Sequence, residues 1–504
     1  MPIACPLLSR PTRRNAISWL GMCSASMSRP LLRPSSLMDR RHSACTNRRD
    51  ACSPCVRSMS ASSHSLRRAL SGLPVSILLR VARLLVGLGL AAMLNRHLGP
   101  GGAGQIMIGL AWVAPLLCLA ELGFNRLTVR ELAAHPDAER EILGTTFCTR
   151  IIAGIALCGA AFGLSFLLEP SVRVLVWVYA LLLPTHASSE LLLWLESKGR
   201  LAEASWAQFR GFALAGVLMI AGVIAKAPPV FFAVTYVVES WSAIAILVWM
   251  YHRQGGSMRA WRWSGARSLK MVREAWPEML AQLVMLMLFR VDTLMLGWMR
   301  GDAEAGIYSL AVRLSEVVYF IAPLLGSAFL PRLVELRKND PAKYETRFSQ
   351  YLGVNLAFAS LCGLGLTLAA PWLVWLLGGK AFAGSASILM IHAWGVLAYY
   401  FGVARTQYLA AEHRLHANLP AVITGLVCNV LLNLWWIPQW SGLGAAWATL
   451  VSYTLGWVVI TALSPGLRPL LRLQWRGLAG LPALVRESWR KRRAFWNPRP
   501  AGIS

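Results

Sequence analysis

The chain has 504 residues, 56% hydrophobic and 14% charged, with a formal net charge of +27 and mean hydropathy of +0.50. A soluble domain carries about a quarter charged residues. This composition, with repeated apolar runs of about 18 residues or more, excludes one and points to an all-α protein that crosses a membrane many times. The positive charge lies in both tails and in short loops between apolar runs, a mark of membrane orientation that argues against nucleic acid as a partner.

Residues 1–70 hold twelve Arg, two Asp, no Glu and five of the ten Cys. No apolar core follows the first basic residues, so a secretory signal is not expected, and the Arg- and Ser-rich composition only resembles a transit peptide. The "CSPC" run near Cys45 and His42 lacks a second spaced pair and is not read as a zinc site. The segment is expected to be a disordered extension, with Met38 or Met59 as alternative starts. Cys118, Cys148, Cys158, Cys362 and Cys428 fall in or beside apolar runs and read as packing residues.

Twelve apolar segments follow: 74–94, 105–125, 145–168, 172–194, 206–226, 229–250, 277–298, 305–329, 352–378, 384–410, 416–437 and 442–463. The loops on the side of the N-terminus hold 17 Lys and Arg, those on the other side five. This asymmetry predicts that both termini are cytoplasmic. The loop 251–276, rich in Trp and Arg, is expected to lie along the anionic membrane surface. It divides the chain into six-helix halves, 74–250 and 277–464, followed by a basic tail, 465–504.

The halves carry a faint repeat. "RHLGPGGAGQI" (96–106) and "RGDAEAGIY" (300–308) align Gly99 with Gly301 and Gly104 with Gly306, an offset of 202. "LGFNRLTVREL" (122–132) likewise parallels "GSAFLPRLVEL" (326–336). Six intervening segments make the repeats parallel, about an axis along the membrane normal, with a site expected between the halves.

Nucleotide-binding, zinc-protease and hydrolase motifs are absent from the sequence, so neither an enzyme nor a cofactor is expected. Charges inside the segments are the stronger lead, because each costs ~2.5–3.5 kcal/mol or more at the bilayer centre. The candidate cavity residues are Arg83 and Arg290, both deep, with Asp292, Arg80, Arg313 and Glu316. Asp292 is turned about 200° from Arg290 along the helix. Arg313 and Glu316, three apart, are placed to neutralise one another. Arg405 is expected to reach the interface. Arg83 and Arg290 either face a cavity or pair with carboxylates such as Glu190 or Glu239. The excess of Arg favours an anionic substrate.

"FRVDTLMLGWMRGDAEAGIYSLAVRLSE" (289–316), "LGPGGAG" (98–104), "ELGFNRLTVRELA" (121–133) and "NVLLNLWWIPQWSGLGAAWAT" (429–449) together resemble the oligosaccharide-lipid flippases of Wzx type. These belong to the multidrug/oligosaccharidyl-lipid/polysaccharide exporter superfamily. The matched positions include Arg290, Asp292, Gly297, Gly306, Tyr308, Asn429 and Asn433, with Ala305 where Val is usual. The resemblance covers about residues 74–464. It implies a V-shaped pair of six-helix lobes that moves an undecaprenyl-pyrophosphate-linked oligosaccharide across a bacterial inner membrane. It also implies an ion gradient or membrane potential as the drive, and a polymerase and chain-length regulator as pathway partners. A multidrug or cation antiporter is the alternative within the superfamily. A polysaccharide polymerase or ligase would need a large outer loop, which the segment spacing does not provide. Which sugar is carried, and whether for O-antigen, capsule or exopolysaccharide, stays open.

Overall fold

The computed structural model describes residues 53–496, of which 60–496 fall in one compact unit. Most of the extension 1–70, including Cys52 of its CSPC run, and the end of the tail lie outside the described residues. From Ser53 the chain is helical. No strand occurs among the described residues.

Ten helical stretches are long and apolar enough to cross a membrane, making this a multi-pass membrane protein. Two of them are too long for one crossing: Val75–Ala134 has 60 residues and Leu419–Leu463 has 45. At ~1.5 Å per residue, 60 residues would extend ~90 Å, three times the ~30 Å hydrocarbon core. Each contains a non-helical residue, Gly99 (φ 67°, ψ −176°) and Ser441 (φ 50°, ψ −130°). Beyond Ser441 the chain folds back, since the Asn429 amide donates to Ser452 Oγ at 3.3 Å. Gly99 shares its conformation with Gly301 (φ 87°, ψ 175°), which separates the helices Gly265–Arg300 and Asp302–Tyr319. Those two run back along one another, so positive φ at a glycine makes the same reversal in both repeats.

The reversals bring the repeats into contact. A Cβ on Gly104 would collide with Asp302 O, and one on Gly306 with Pro100 O. The pairs 100/302 and 104/306 share the offset of 202, so the contact is reciprocal, as a pseudo-twofold axis requires. Only glycine permits so close a backbone approach.

Several helices run past their apolar segments on the basic face. The segments at 305–329 and 352–378 belong to stretches that continue to Asn339 and begin at Pro341, meeting at Asp340. Asp340 caps the second helix, accepting from the Lys343 N–H at 3.0 Å, and Pro341 takes the first-turn position where its missing N–H costs nothing. Nothing obliges a helix to stop at the lipid boundary, so polar residues extend it into the aqueous phase.

The cores divide by depth. At the end opposite the basic face one cluster joins both halves: Ile106, Tyr179 and Phe232 pack with Leu296, Tyr308 and Ile388. At the basic end each half has its own, around Leu132, Leu191 and Leu247 in one and Leu333, Phe348 and Phe401 in the other. The start of the Gly265–Arg300 helix packs against Phe124 and Leu127, tying it to the first half. Exposed Trp298 (82%), Trp372, Trp375 and Trp435 mark the outer boundary, as interfacial aromatic residues do.

Candidate functional site

Where the two halves face one another, a cavity of about 230 Å³ opens. Met107, Leu110 and Tyr236 of the first half form one wall; Arg290, Arg313 and Glu316 of the second supply the charge. Thr293 and Ser309 add hydroxyls. A smaller space of about 50 Å³ adjoins it, sharing Tyr236 and Arg313 and reaching Glu239.

Arg290 makes a forked ion pair with Glu316, Nη1 to Oε1 at 3.0 Å and Nη2 to Oε2 at 3.4 Å. This replaces the expected Arg313–Glu316 pairing. The reason is depth: Arg290 lies 11 residues before Gly301 and Glu316 lies 15 after it. On antiparallel helices these distances, ~17 and ~22 Å, set the side chains nearly level. Arg313 has no ion-pair partner among the described residues, although it lines both spaces. The cavity wall therefore holds two guanidinium groups and one carboxylate.

Arg83 pairs with Glu239 and lies over the Phe212 ring, its carbon 5.4 Å from the ring centre. Of this pair only Glu239 lines the smaller space. Arg80 is exposed and lines neither. Glu190, a conceivable partner for Arg83 or Arg290, is engaged elsewhere: it meets Arg150 at 3.0 Å, and both side chains are 0% exposed. Arg150 also donates to Asn125 Oδ1 (2.9 Å) and Ser189 Oγ (2.6 Å). The sequence signal for Arg150 was an arginine within an apolar run, the same signal that marked Arg83.

Asp292 does not enter the cavity. It is 3% exposed and faces into the second half, as its rotation from Arg290 requires. There it accepts from Tyr308 OH (2.7 Å), Asn433 Nδ2 (2.6 Å) and Thr449 Oγ1 (2.5 Å). Asn433 in turn donates to Asn429 Oδ1 at 3.0 Å. Motif residues from two separate stretches, 289–316 and 429–449, thus converge on one carboxylate. A single carboxylate held by two hydroxyls and an amide N–H is a group that can take up a proton. No group of three or more His, Cys, Asp or Glu suited to a metal occurs among the described residues.

Arg405 is also displaced from its expected place. It is 0% exposed, donating to Thr461 Oγ1 (2.9 Å), Asn418 Oδ1 (2.5 Å) and Ala417 O (2.9 Å), so it braces helix ends rather than reaching the headgroups. The 251–276 loop likewise docks on protein. Trp261 packs edge-on to Phe147 with centroids 5.3 Å apart and donates to Tyr251 OH at 2.9 Å. Backbone N–H groups of Arg262 and Ser264 donate to Arg140 O and Thr145 Oγ1. From Gly265 onward the loop is helix, with Arg267 paired to Glu131 (3.4 Å) and Glu141 (3.0 Å).

The family model described as "Polysaccharide biosynthesis protein" matches residues 70–337, more than half of the chain. The chain belongs to that family. A second model, MatE, matches residues 277–435. The "Capsular polysaccharide biosynthesis protein CapF" of Staphylococcus aureus is 28% identical over 157 residues, 30% of this chain and 39% of that relative's length. Among solved structures, "Lipid II flippase MurJ, inward closed conformation" shares the fold with TM-score 0.64 at 11% identity, over 82% of this chain and 92% of that one. An inward-facing "multidrug resistance MATE family transporter of the MOP superfamily" follows with TM-score 0.59 at 16% identity, over 77% and 98%. As a family member the chain thus has a transporter fold whose halves meet around the arginine-bearing cavity.

Proposed function

We propose that this chain is a non-enzymatic flippase that carries a lipid-linked oligosaccharide across a bacterial inner membrane by alternating access, with its basic face and both termini cytoplasmic. The observation that carries this reading is Arg313. It is a guanidinium without an ion-pair partner among the described residues, at a cavity walled by both halves and beside the Arg290–Glu316 pair. An uncompensated cation at membrane depth is costly unless it meets water or an anion. A sugar-linked pyrophosphate supplies that anion, in the geometry a guanidinium fork grips. Thr293, Ser309 and Tyr236 offer hydroxyls for the sugar. The lipid tail stays in the bilayer, beside the gap where the basic-end cores separate. At about 230 Å³ the cavity is below the ~300–1,000 Å³ usual for ligand sites, so loading requires the halves to part.

The energy source in this reading is an ion gradient or the membrane potential, acting on Asp292 and its oxygen neighbours. A polymerase and a chain-length regulator act on the product. The cation-antiporter reading draws on the MatE match over 277–435 and on Glu239 and Glu316. In that reading a cationic dye, not an anionic lipid, is the cargo.

The test is polymer export and membrane abundance measured together in a strain lacking the native gene. Arg290→Ala is expected to lose export at normal abundance, and Arg290→Lys to recover part of it. Full export from an Arg290→Ala/Glu316→Ala double variant would mean that the pair merely neutralises itself, and would overturn the binding role of Arg290.

A further inference from the structure

On the basic face of the second half, the helices Ile321–Asn339 and Pro341–Gly378 enclose a groove of about 340 Å³, separate from the central cavity. Its polar and apolar parts are sorted by depth. Arg332 lies eight residues before Asp340 and Arg347 seven after it, so both stand ~10–12 Å from the turn, level with each other. Leu325, Phe329 and Val354, farther from the turn, line the membrane end. Arg337, on the neighbouring turn, is paired with Glu412 at 2.8 Å. Neither Arg332 nor Arg347 has an ion-pair partner among the described residues; Arg347 donates only to Gln350 Oε1 at 3.1 Å.

Two buried polar atoms deeper than the arginines mark the groove as a site: Tyr351 lies 11 and Asn355 15 residues after Asp340, ~16 and ~22 Å from the turn. Asn355 is 3% exposed, and its amide donates to Tyr400 O at 3.3 Å, but its Oδ1 meets no hydrogen-bond partner. Tyr351 is 5% exposed, and its hydroxyl is unpartnered too. Both residues line the groove. Buried polar atoms of a folded protein are nearly always satisfied. An unpaired acceptor and an unpaired hydroxyl in one groove therefore point to something that occupies it.

We propose that the groove between these two helices binds an anionic glycerophospholipid of the adjacent leaflet. The phosphate lies between Arg332 and Arg347, where two guanidinium groups match its charge. One acyl chain follows Phe329 and Val354. The ester linkages lie beside Tyr351, whose phenol donates to an ester carbonyl, and Asn355 Oδ1, ~6 Å deeper, accepts from a water carried into the groove with the lipid. The site does not depend on what the central cavity carries.

The experiment is thermal melting of the purified full chain in detergent, titrated separately with phosphatidylglycerol, phosphatidylcholine, inorganic phosphate and a long-chain polyprenyl phosphate. Phosphatidylglycerol is expected to raise the melting temperature, with phosphatidylcholine and inorganic phosphate nearly inert. Arg332→Gln/Arg347→Gln, altering two exposed side chains, should need about tenfold or more phosphatidylglycerol for the same shift. Tyr351→Phe should weaken the response without lowering the lipid-free melting temperature. Equal stabilisation by phosphatidylcholine overturns the proposal, as does an unchanged midpoint in the double arginine variant. Polyprenyl phosphate saturating through the same arginines at a lower concentration than phosphatidylglycerol overturns the choice of occupant.

Discussion

Gly306→Ala is the smallest change that reaches the joint between the halves. The added Cβ would fall well inside van der Waals contact of Pro100 O, a backbone atom that no rotamer change can move. The helix that begins at Asp302 must therefore withdraw from the turn after Gly99. Overpacking of this kind costs ~1–3 kcal/mol, and here the cost falls only on the state in which the outer ends touch. A difference of ~1–3 kcal/mol shifts a two-state population ~5- to 150-fold. The assay is double electron–electron resonance between spin labels at Lys226 and Lys380, exposed outer-end positions in different halves, in a background without reactive cysteines. The variant should show a longer-distance population that is minor without the substitution, and Gly104→Ala should reproduce it because the contact is reciprocal. Distance distributions unchanged in both variants, at normal abundance, would refute the reasoning that this contact holds the outer end shut.

Other expected outcomes follow from the remaining polar groups. Glu190→Gln leaves Arg150 charged in a fully buried site, so it should destabilise the purified protein by ~3–5 kcal/mol. An Arg150→Met/Glu190→Leu double variant should recover much of that loss in the same melting assay, and equal losses in both would count against a buried pair. Arg405→Ala removes donors from one buried and two half-buried acceptors and should lower abundance and melting temperature sharply, whereas an interfacial arginine would be replaced mildly. Single cysteines at Gly255 and Asn339 should react with a membrane-impermeant thiol reagent only from the cytoplasmic side, and one at Lys380 only from outside. The reverse pattern would overturn the proposed orientation, with the basic face cytoplasmic.

The membrane-length helices were legible from local sequence, because hydrophobic length responds to the bilayer residue by residue. Gly99 and Gly301 were visible as a repeat, and their positive φ explains why glycine stands at both. Pairing across helices was less legible. Arg313 and Glu316 sit three apart on one helix, yet Glu316 turns to Arg290, because level placement across a reversal competes with spacing along a helix. Asp292 was grouped with the cavity residues although its rotation from Arg290 turned it away; its partners Tyr308, Asn433 and Thr449 come from separate helices, which spacing alone does not bring together. Arg405 was misplaced for a related reason. Position near a membrane boundary does not distinguish a side chain facing lipid from one facing protein.

The central claim is that the unpaired guanidinium of Arg313 grips an anionic head group in transit. The direct measurement is flipping of a fluorescent undecaprenyl-pyrophosphate-linked oligosaccharide in proteoliposomes, scored by access of an impermeant quencher and normalised to reconstituted protein. Loss of one charge-assisted contact, ~1.5–3 kcal/mol, predicts a ten- to hundredfold slower rate for Arg313→Ala at unchanged melting temperature, with Arg313→Lys intermediate. Flipping by Arg313→Ala at the rate of the unaltered protein would contradict the account.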